Sequence, residues 1–256
     1  MLFTLALVAY VAAAGLALAY LIQREEAVYR LTTVATRAGW ACQTVGLIAR
    51  TVESGRPPFW SFPEAVFVAV WAAVLLELWA ERKYGIKALG AFVLPIVVVL
   101  SIPKTVAVPG LGGSALNVWI SIHVVLALLG IAAFVLNFAG AIMYLIQERQ
   151  LKTRRVGTFY YRLPSLETLD RLTFRTLTLG FPFLTVGLML GAVWAGRFDP
   201  LILSSALAWV IYAFTLAGRA VAGWRGRRAA YFAIIGFAAL VVTLGAGFLM
   251  PGPHGS

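Results

Sequence analysis

The sequence predicts an all-α membrane protein, a bundle of about eight transmembrane helices that forms one integral membrane domain over residues 1–256. First, 61% of the residues are hydrophobic and 12% are charged, whereas a soluble domain is about half apolar and a quarter charged. Second, eight apolar stretches approach the roughly 20 residues needed to cross a bilayer. Third, the basic residues concentrate in alternate connections. These observations exclude a soluble globular enzyme.

The eight predicted spans are residues 2–22, 27–52, 62–80, 89–108, 117–147, 174–195, 201–223 and 229–250. The first lacks a basic segment before its apolar core, so we interpret it as a retained helix and not a signal peptide. Arg37 and Thr44 interrupt the second, which makes it the weakest. Pro95 and Pro103 predict a kink or an early end in the fourth. The fifth is long enough to tilt or to extend into water.

The net charge of +11 predicts the orientation of the chain. Sixteen basic residues lie on one side: Arg24, Arg30, Arg82, Lys83, Lys87, Arg149, Lys152, Arg154, Arg155, Arg162, Arg171, Arg175, Arg219, Arg225, Arg227 and Arg228. The other side holds four: Arg50, Arg56, Lys104 and Arg197. The positive-inside rule therefore predicts a multi-pass protein of the inner or plasma membrane with both termini outside the cytoplasm. Contacts with an anionic inner leaflet account for the positive charge, so no nucleic-acid partner is expected.

The long inner loop, residues 147–175, admits two interpretations. Its leucines recur every three residues among arginines: Leu163, Leu166, Leu169 and Leu172, with Arg162, Arg171 and Arg175. The loop is either a simple interfacial linker or a short basic amphipathic helix on the membrane surface. The second interpretation would offer a docking site for a cytoplasmic protein.

The histidines fall together on the predicted outer side. The chain has only two, His123 and His254, and a single cysteine, Cys42. His123 lies roughly 9 Å below the outer mouth of the fifth span, and His254 follows the last span. A histidine inside a span is costly and is a functional hypothesis by default. The alternatives are a structural bond from His123 to a backbone carbonyl and a disordered chain end at His254.

Two neutral imidazoles can serve as the axial ligands of a haem iron. The predicted outer side also supplies aromatic residues, which an interfacial aromatic belt would equally explain: Trp60, Trp119 and Trp194. It supplies candidate cations for the haem propionates: Arg50, Arg56, Lys104 and Arg197. The residues of this side are thus compatible with a haem near the outer face.

The connection between the sixth and seventh spans reads Gly191-Ala-Val-Trp-Ala-Gly-Arg-Phe-Asp-Pro200. It resembles the tryptophan-rich signature loop of the cytochrome c assembly family, which includes CcsA-type, CcmC-type and HemX-like proteins. Trp119-Ile-Ser-Ile-His123-Val resembles the first histidine segment of that family. Leu249-Met-Pro-Gly-Pro-His254-Gly-Ser resembles its Pro-Gly-Leu-His-Ser ending. The resemblance covers roughly residues 119–256.

The resemblance implies that His123 and His254 are the axial ligands of one non-covalent b-type haem, held on the outer side. It implies that further residues shape the pocket or meet the propionates: Trp119, Trp194, Phe198, Asp199, Arg197 and Arg56. The signature loop lacks most of the family's tryptophans, which argues against a complete haem lyase, and eight spans resemble the HemX-like branch more than the six expected of CcmC-like proteins. The implied role is therefore the binding and transfer of haem, without catalysis, and the implied partner is a cytochrome c maturation protein.

Two rival functions remain open. One is a secondary transporter of another small molecule, with His123 as a proton-coupled site. The other is an electron-transfer subunit that oxidises quinol through a single outer haem. Among further features, Glu64 and Glu77 in the third span are interpreted as reaching the interface. Gly187 and Gly191 predict close packing of the sixth helix inside the monomer.

Overall fold

A computed structural model of the chain describes residues 2–23, 25–59, 62–102, 118–153, 163–195 and 200–249. Every regular element within these ranges is an α-helix, which confirms the predicted fold class and the count of eight helices. The helices are α1 Leu2–Gln23, α2 Glu26–Ser54, α3 Phe62–Tyr84, α4 Gly90–Ser101, α5 Val118–Thr153, α6 Leu166–Ala195, α7 Pro200–Val221 and α8 Arg227–Leu249.

Five of the described helices, α1, α5, α6, α7 and α8, are long and apolar enough to cross a membrane by length and composition. The chain is therefore a multi-pass membrane protein. α4 has only 12 residues and contains Pro95, and its length is about 18 Å. The predicted span 89–108 is thus helical over its described first part, and residues 103–108 lie outside the described ranges.

The helices alternate in direction, so the bundle has two ends. We call the basic end the one at which α2, α4, α6 and α8 begin, and the histidine end the one at which α1, α3, α5 and α7 begin. Contacts between Lys87 and Glu26 (2.8 Å) and between Arg175 and Tyr84 (3.1 Å) join helices at the basic end. Arg219 and Asp170 (2.8 Å) join α7 to α6 there. The predicted orientation of these two ends relative to the cytoplasm stays a prediction.

α5 is the central helix of the bundle. It packs against α3, α6 and α8, and the contact between α3 and α5 joins the first four helices to the last four. Small residues let neighbouring helices approach α5 closely: Ala132, Ala133, Ala139 and Ala141 are all buried. On the same helix Phe134 stacks on Tyr212 of α7, with ring centroids 3.9 Å apart.

Of the two interpretations of residues 147–175, the amphipathic surface helix does not fit the leucines that the structure describes, and residues 154–162 lie outside the described ranges. The leucines continue directly into α6, which begins at Leu166, and Leu169 and Leu172 are fully buried in the main core. Ser165 starts the helix, because its Oγ accepts a hydrogen bond from the Thr168 N–H (3.3 Å). A leucine every three residues fits a buried helix face as well as a membrane-facing one. The described leucines are therefore not a surface on which a cytoplasmic protein could dock.

The two glutamates of α3 have different surroundings. Glu64 pairs with Arg50 of α2 (2.6 Å) at the histidine end. Glu77 is only 1% exposed, so the prediction that it reaches the interface is wrong. Its Oε1 lies 3.3 Å from where a Cβ at Gly90 of α4 would stand. The close approach of α4 at this glycine is what covers the Glu77 carboxyl.

Candidate functional site

His123 lies near the start of α5, at the histidine end, and its ring rests on α6. Its Nδ1 is 2.6 Å from the carbonyl oxygen of Gly187. One turn further along α6, a Cβ at Gly191 would stand 2.8 Å from His123 Cε1 and 3.2 Å from Nδ1. Such distances are shorter than van der Waals contact. The ring therefore occupies space that only glycine leaves open, and the predicted close packing at Gly187 and Gly191 is confirmed.

The bond to Gly187 determines which ring nitrogen carries the hydrogen. A carbonyl oxygen only accepts, so Nδ1 of the neutral His123 ring must donate, and Nε2 keeps its lone pair. Nε2 makes no hydrogen bond to the residues that the structure describes. Histidines that bind metals are held in the same way, with the other ring nitrogen donating to a carbonyl or carboxylate. The predicted structural bond and the predicted ligand role are compatible, since each uses a different nitrogen.

An apolar cluster surrounds this part of α5. Ala65 and Ala69 of α3 and Leu128 of α5 are buried together, and Phe59 and Val124 pack against them. Val124 directly follows His123 in the sequence, so the cluster joins the start of α3 to the turn of α5 that carries the histidine.

Two further predicted site residues are described at the histidine end. Trp119 precedes His123 by four residues, which places both on one face of α5, and it is 63% exposed. Arg56 follows α2, and its backbone N–H donates to Ser54 Oγ (3.2 Å). Arg56 comes three residues before Phe59, which belongs to the apolar cluster. Both residues thus lie at the end of the bundle that holds His123.

Arg50, another candidate cation, already has a partner. Its Nε donates to Glu64 (2.6 Å), so a carboxylate compensates its charge. The sequence distance of 14 residues across a helix connection gave no sign of this pairing. Arg50 is therefore a weak candidate for a propionate partner.

The remaining predicted site residues lie outside the described ranges: His254, Arg197, Phe198, Asp199, Trp60 and Lys104. Trp194 lies in α6, but its side chain is not among those described. α6 ends at Ala195, α7 begins at Pro200 and α8 ends at Leu249, all at the histidine end. The proposed roles of these residues stay predictions.

Sequence reasoning found His123 but missed its partner. A backbone carbonyl has no sequence signature, and only the spacing of Gly187 and Gly191 pointed to α6. Sequence reasoning also gave no sign of the contacts of Trp209 in α7, whose Nε1 donates to Thr185 Oγ1 of α6 (2.9 Å) and whose ring stacks on Phe181. These contacts hold α7 against α6 at Thr185, two residues before Gly187 in the sequence.

The chain is similar to known proteins over most of its length. The family model described as Cytochrome C assembly protein matches residues 59–254, more than half of the chain. The match includes α3, α4 and both histidines. The similarity to the family therefore begins well before residue 119 and covers the third and fourth helices.

Curated relatives agree with the family match. A protein of Guillardia theta named cytochrome c biogenesis protein CcsA is 30% identical over 84% of this chain and 82% of its own length. A protein of the same name from Thermosynechococcus vestitus is 30% identical over 88% of this chain and 87% of its own length. Another, from Microcystis aeruginosa, is 28% identical over 83% of this chain and 83% of its own length. The chain belongs to the cytochrome c assembly protein family.

Proposed function

We propose that this protein binds one b-type haem non-covalently near the histidine end and transfers it during cytochrome c assembly. The observation that carries the proposal is the hydrogen bond from His123 Nδ1 to the Gly187 carbonyl (2.6 Å). It leaves Nε2 as a free ligand atom inside the membrane, in a chain whose relatives are named cytochrome c biogenesis proteins.

The chemistry of His123 fits a haem ligand. An iron ligand must be a neutral imidazole nitrogen, and the carbonyl at Gly187 holds His123 in the tautomer that presents Nε2. The ring is already oriented by α6, so little conformational freedom is lost when a ligand binds. The haem would be the group that this chain binds and passes on, and His254 would be its second protein ligand.

The surroundings of the haem are proposed from both sequence and fold. Trp119, Trp194, Phe198 and Asp199 would form its walls, because they lie in the two segments that carry the family resemblance. Arg197 and Arg56 would bind the propionates as charge-assisted donors. The described members of this set, Trp119 and Arg56, lie at the same end as His123, which supports the assignment.

The proposed role is transfer and not catalysis. His254 lies five residues beyond the last residue of α8, and an exchangeable ligand at that position would suit release of the haem. The few tryptophans in residues 191–200 support the HemX-like branch, whereas the name of the relatives favours cytochrome c biogenesis. We place the protein in the inner or plasma membrane with the histidine end outward, on the asymmetry of 16 basic residues against four. A cytochrome c maturation protein would be its partner.

The visible spectrum of the purified protein tests the proposal. We expect a Soret band with resolved α and β bands on reduction, and the loss of this spectrum in both His123→Ala and His254→Ala. Met189→Ala is the matched control, because Met189 lies between Gly187 and Gly191 on α6 but is 64% exposed. Added imidazole should restore the spectrum of His123→Ala.

Two results would contradict the proposal. A colourless protein that also fails to take up added haemin would refute haem binding and favour a transporter. Normal spectra in both histidine variants would refute the axial ligands. Rapid reduction of the bound haem by a quinol would instead support a single-haem electron-transfer subunit.

A further inference from the structure

A second candidate site lies at the basic end, far from His123. A pocket of about 530 Å³ opens between the last turns of α5 and the first turns of α8. It is lined by Leu145, Ile146, Glu148, Arg149, Lys152, Thr153, Arg227 and Tyr231. Arg149 follows His123 by 26 residues on the same helix, so about 39 Å separate the two. The pocket is independent of the proposed haem site.

The pocket carries an excess of positive charge. Lys152 pairs with Glu148 (2.6 Å), which cancels one cation. Within the described part of the chain, Arg149 has no carboxylate partner. Arg227 donates to Tyr231 Oη (3.0 and 3.3 Å) and lies over its ring, and it makes no ion pair with a carboxylate among the described residues, although the charge of Glu148 acts on it. Glu148 is the one carboxylate of the described lining and is paired with Lys152, so Arg149 and Arg227 leave the pocket with an excess of positive charge.

The walls of the pocket connect these charges to an apolar surface. Leu145 and Ile146 line its α5 side. On α8, Tyr231 is 45% exposed and Ile235, one turn deeper, is 52% exposed. A half-exposed tyrosine followed by an exposed isoleucine is typical of a helix that leaves the lipid interface and enters the hydrocarbon. An occupant of the pocket would therefore have a charged part beside the arginines and an apolar part along the helices.

We propose that this pocket binds the phosphodiester headgroup of an anionic phospholipid. Arg149 and Arg227 donate to the phosphate oxygens, because guanidinium groups match phosphate with paired hydrogen bonds. Tyr231 holds the Arg227 guanidinium at the pocket, and the acyl chains lie along α5 and α8. Basic pockets between transmembrane helices bind lipid headgroups in this manner. A free phosphate ion would make no favourable contact with the apolar wall formed by Leu145 and Ile146, whereas the acyl chains of a lipid would. The apolar wall therefore favours a lipid as the occupant.

Lipid retention by the full-length protein tests this assignment. The protein is purified in detergent, exchanged into mixed micelles of phosphatidylglycerol and phosphatidylcholine, and the bound lipid is counted by native mass spectrometry. We expect one retained phosphatidylglycerol. In Arg149→Gln/Arg227→Gln its preference over phosphatidylcholine should fall about tenfold or more, given the contribution of each cation near an anionic headgroup.

The control variant changes the same net charge at the same end. Arg30 and Arg82 are exposed and lie in α2 and α3, away from the pocket. Arg30→Gln/Arg82→Gln should therefore retain phosphatidylglycerol as the unmodified protein does. If the pocket variant does not fold, Thr153→Trp replaces an exposed lining residue with bulk and keeps both arginines. It should abolish the retained lipid by filling the pocket.

Several outcomes would overturn the assignment. Equal retention of both lipids by the unmodified protein, or unchanged retention in the pocket variant and in Thr153→Trp, would show that no headgroup site exists. An equal loss in the control variant would show a general charge effect. Displacement of the bound lipid by millimolar inorganic phosphate alone would show that the arginines form a free-anion site.

Discussion

Replacing Gly191 with alanine should disturb His123 without changing any ligand atom. The added Cβ would stand 2.8 Å from Cε1, 3.2 Å from Nδ1 and 3.5 Å from Nε2 of the imidazole. The ring must move by about 0.7 Å to regain a carbon–carbon separation of about 3.5 Å. It moves away from α6, and the 2.6 Å bond to the Gly187 carbonyl is stretched or lost. His123 then no longer has a fixed tautomer or orientation.

The size of the effect follows from these distances. Loss of an outer-shell partner of a metal-binding histidine lowers ligand affinity by about 10–100-fold. Overpacking destabilises the apoprotein by about 1–3 kcal/mol, and the gain in helix propensity from glycine to alanine offsets about 1 kcal/mol of this. Haemin affinity should therefore fall by about 10–100-fold, which corresponds to about 1.4–2.7 kcal/mol, while the apoprotein loses a net free energy of unfolding of about 0–2 kcal/mol.

Gly187→Ala is the matched control for Gly191→Ala. It makes the same substitution one turn earlier on α6, where the nearest atoms to a new Cβ are Ala127 N at 3.5 Å, Ala127 Cα at 3.8 Å and His123 O at 3.8 Å. These are ordinary contacts, so the imidazole stays in place. Haemin titration followed at the Soret band compares the two variants. Equal affinities for Gly191→Ala and Gly187→Ala would refute the reasoning.

Other contacts give further predictions. Asp170→Asn should cost about 2 kcal/mol, because Arg219 is 7% exposed and Asp170 also accepts the Gly226 N–H (3.1 Å). Glu167→Gln, which breaks only the exposed pair with Arg171, should cost about 0.5 kcal/mol or less; thermal melting that ranks the two equally contradicts this. The hydrogen bond that the Lys87 ammonium donates to the Glu26 carboxylate raises the pKa of Lys87 above its usual value. The pair of Lys87 and Glu26 therefore stabilises the folded protein fully below the usual pKa of lysine, and this stabilisation is lost as pH rises through the raised pKa of Lys87. Lys87→Gln should lower the melting temperature slightly near neutral pH and not at strongly alkaline pH.

Long apolar segments made the helices predictable, and their ends were harder to predict. α6 was expected from residue 174 but begins at Leu166. The pattern of Leu163, Leu169 and Leu172 suits either a membrane surface or a protein core. The choice depends on which helices pack nearby, and single-sequence periodicity does not contain that information. Ser165 was the available local signal, since serine is favoured at the start of a helix.

The wrong prediction for Glu77 also arose because single-sequence patterns do not show which helices pack together. A glutamate near the end of an apolar span is usually expected to reach the interface. Glu77 does not, because α4 crosses close to it at Gly90, where a larger residue would meet its carboxyl. The sequence shows the glycine and the glutamate 13 residues apart, but the contact depends on how α3 and α4 pack. Tertiary packing determines the surroundings of both.

His123 could be identified from the sequence alone, because the chain has only two histidines and His123 lies within a predicted span. No knowledge of helix packing was needed for this. The partner of His123, the Gly187 carbonyl on α6, could not be predicted, but the geometry of their hydrogen bond has a simple cause. In an α-helix, each carbonyl accepts the N–H four residues later, and the Cβ of that later residue tilts back over the carbonyl. The His123 ring reaches the Gly187 oxygen by lying where a Cβ of residue 191 would stand 2.8 Å from its Cε1.

A helix carbonyl can accept a second donor without a glycine four residues later. The amide of Gln43 reaches the Phe67 carbonyl on a neighbouring helix, although Trp71 follows that carbonyl by four residues. The amide of Asn137 likewise reaches the Thr173 carbonyl, and Leu177 follows it by four residues. Gly191 is needed here because the imidazole ring is bulkier than an amide and lies against α6.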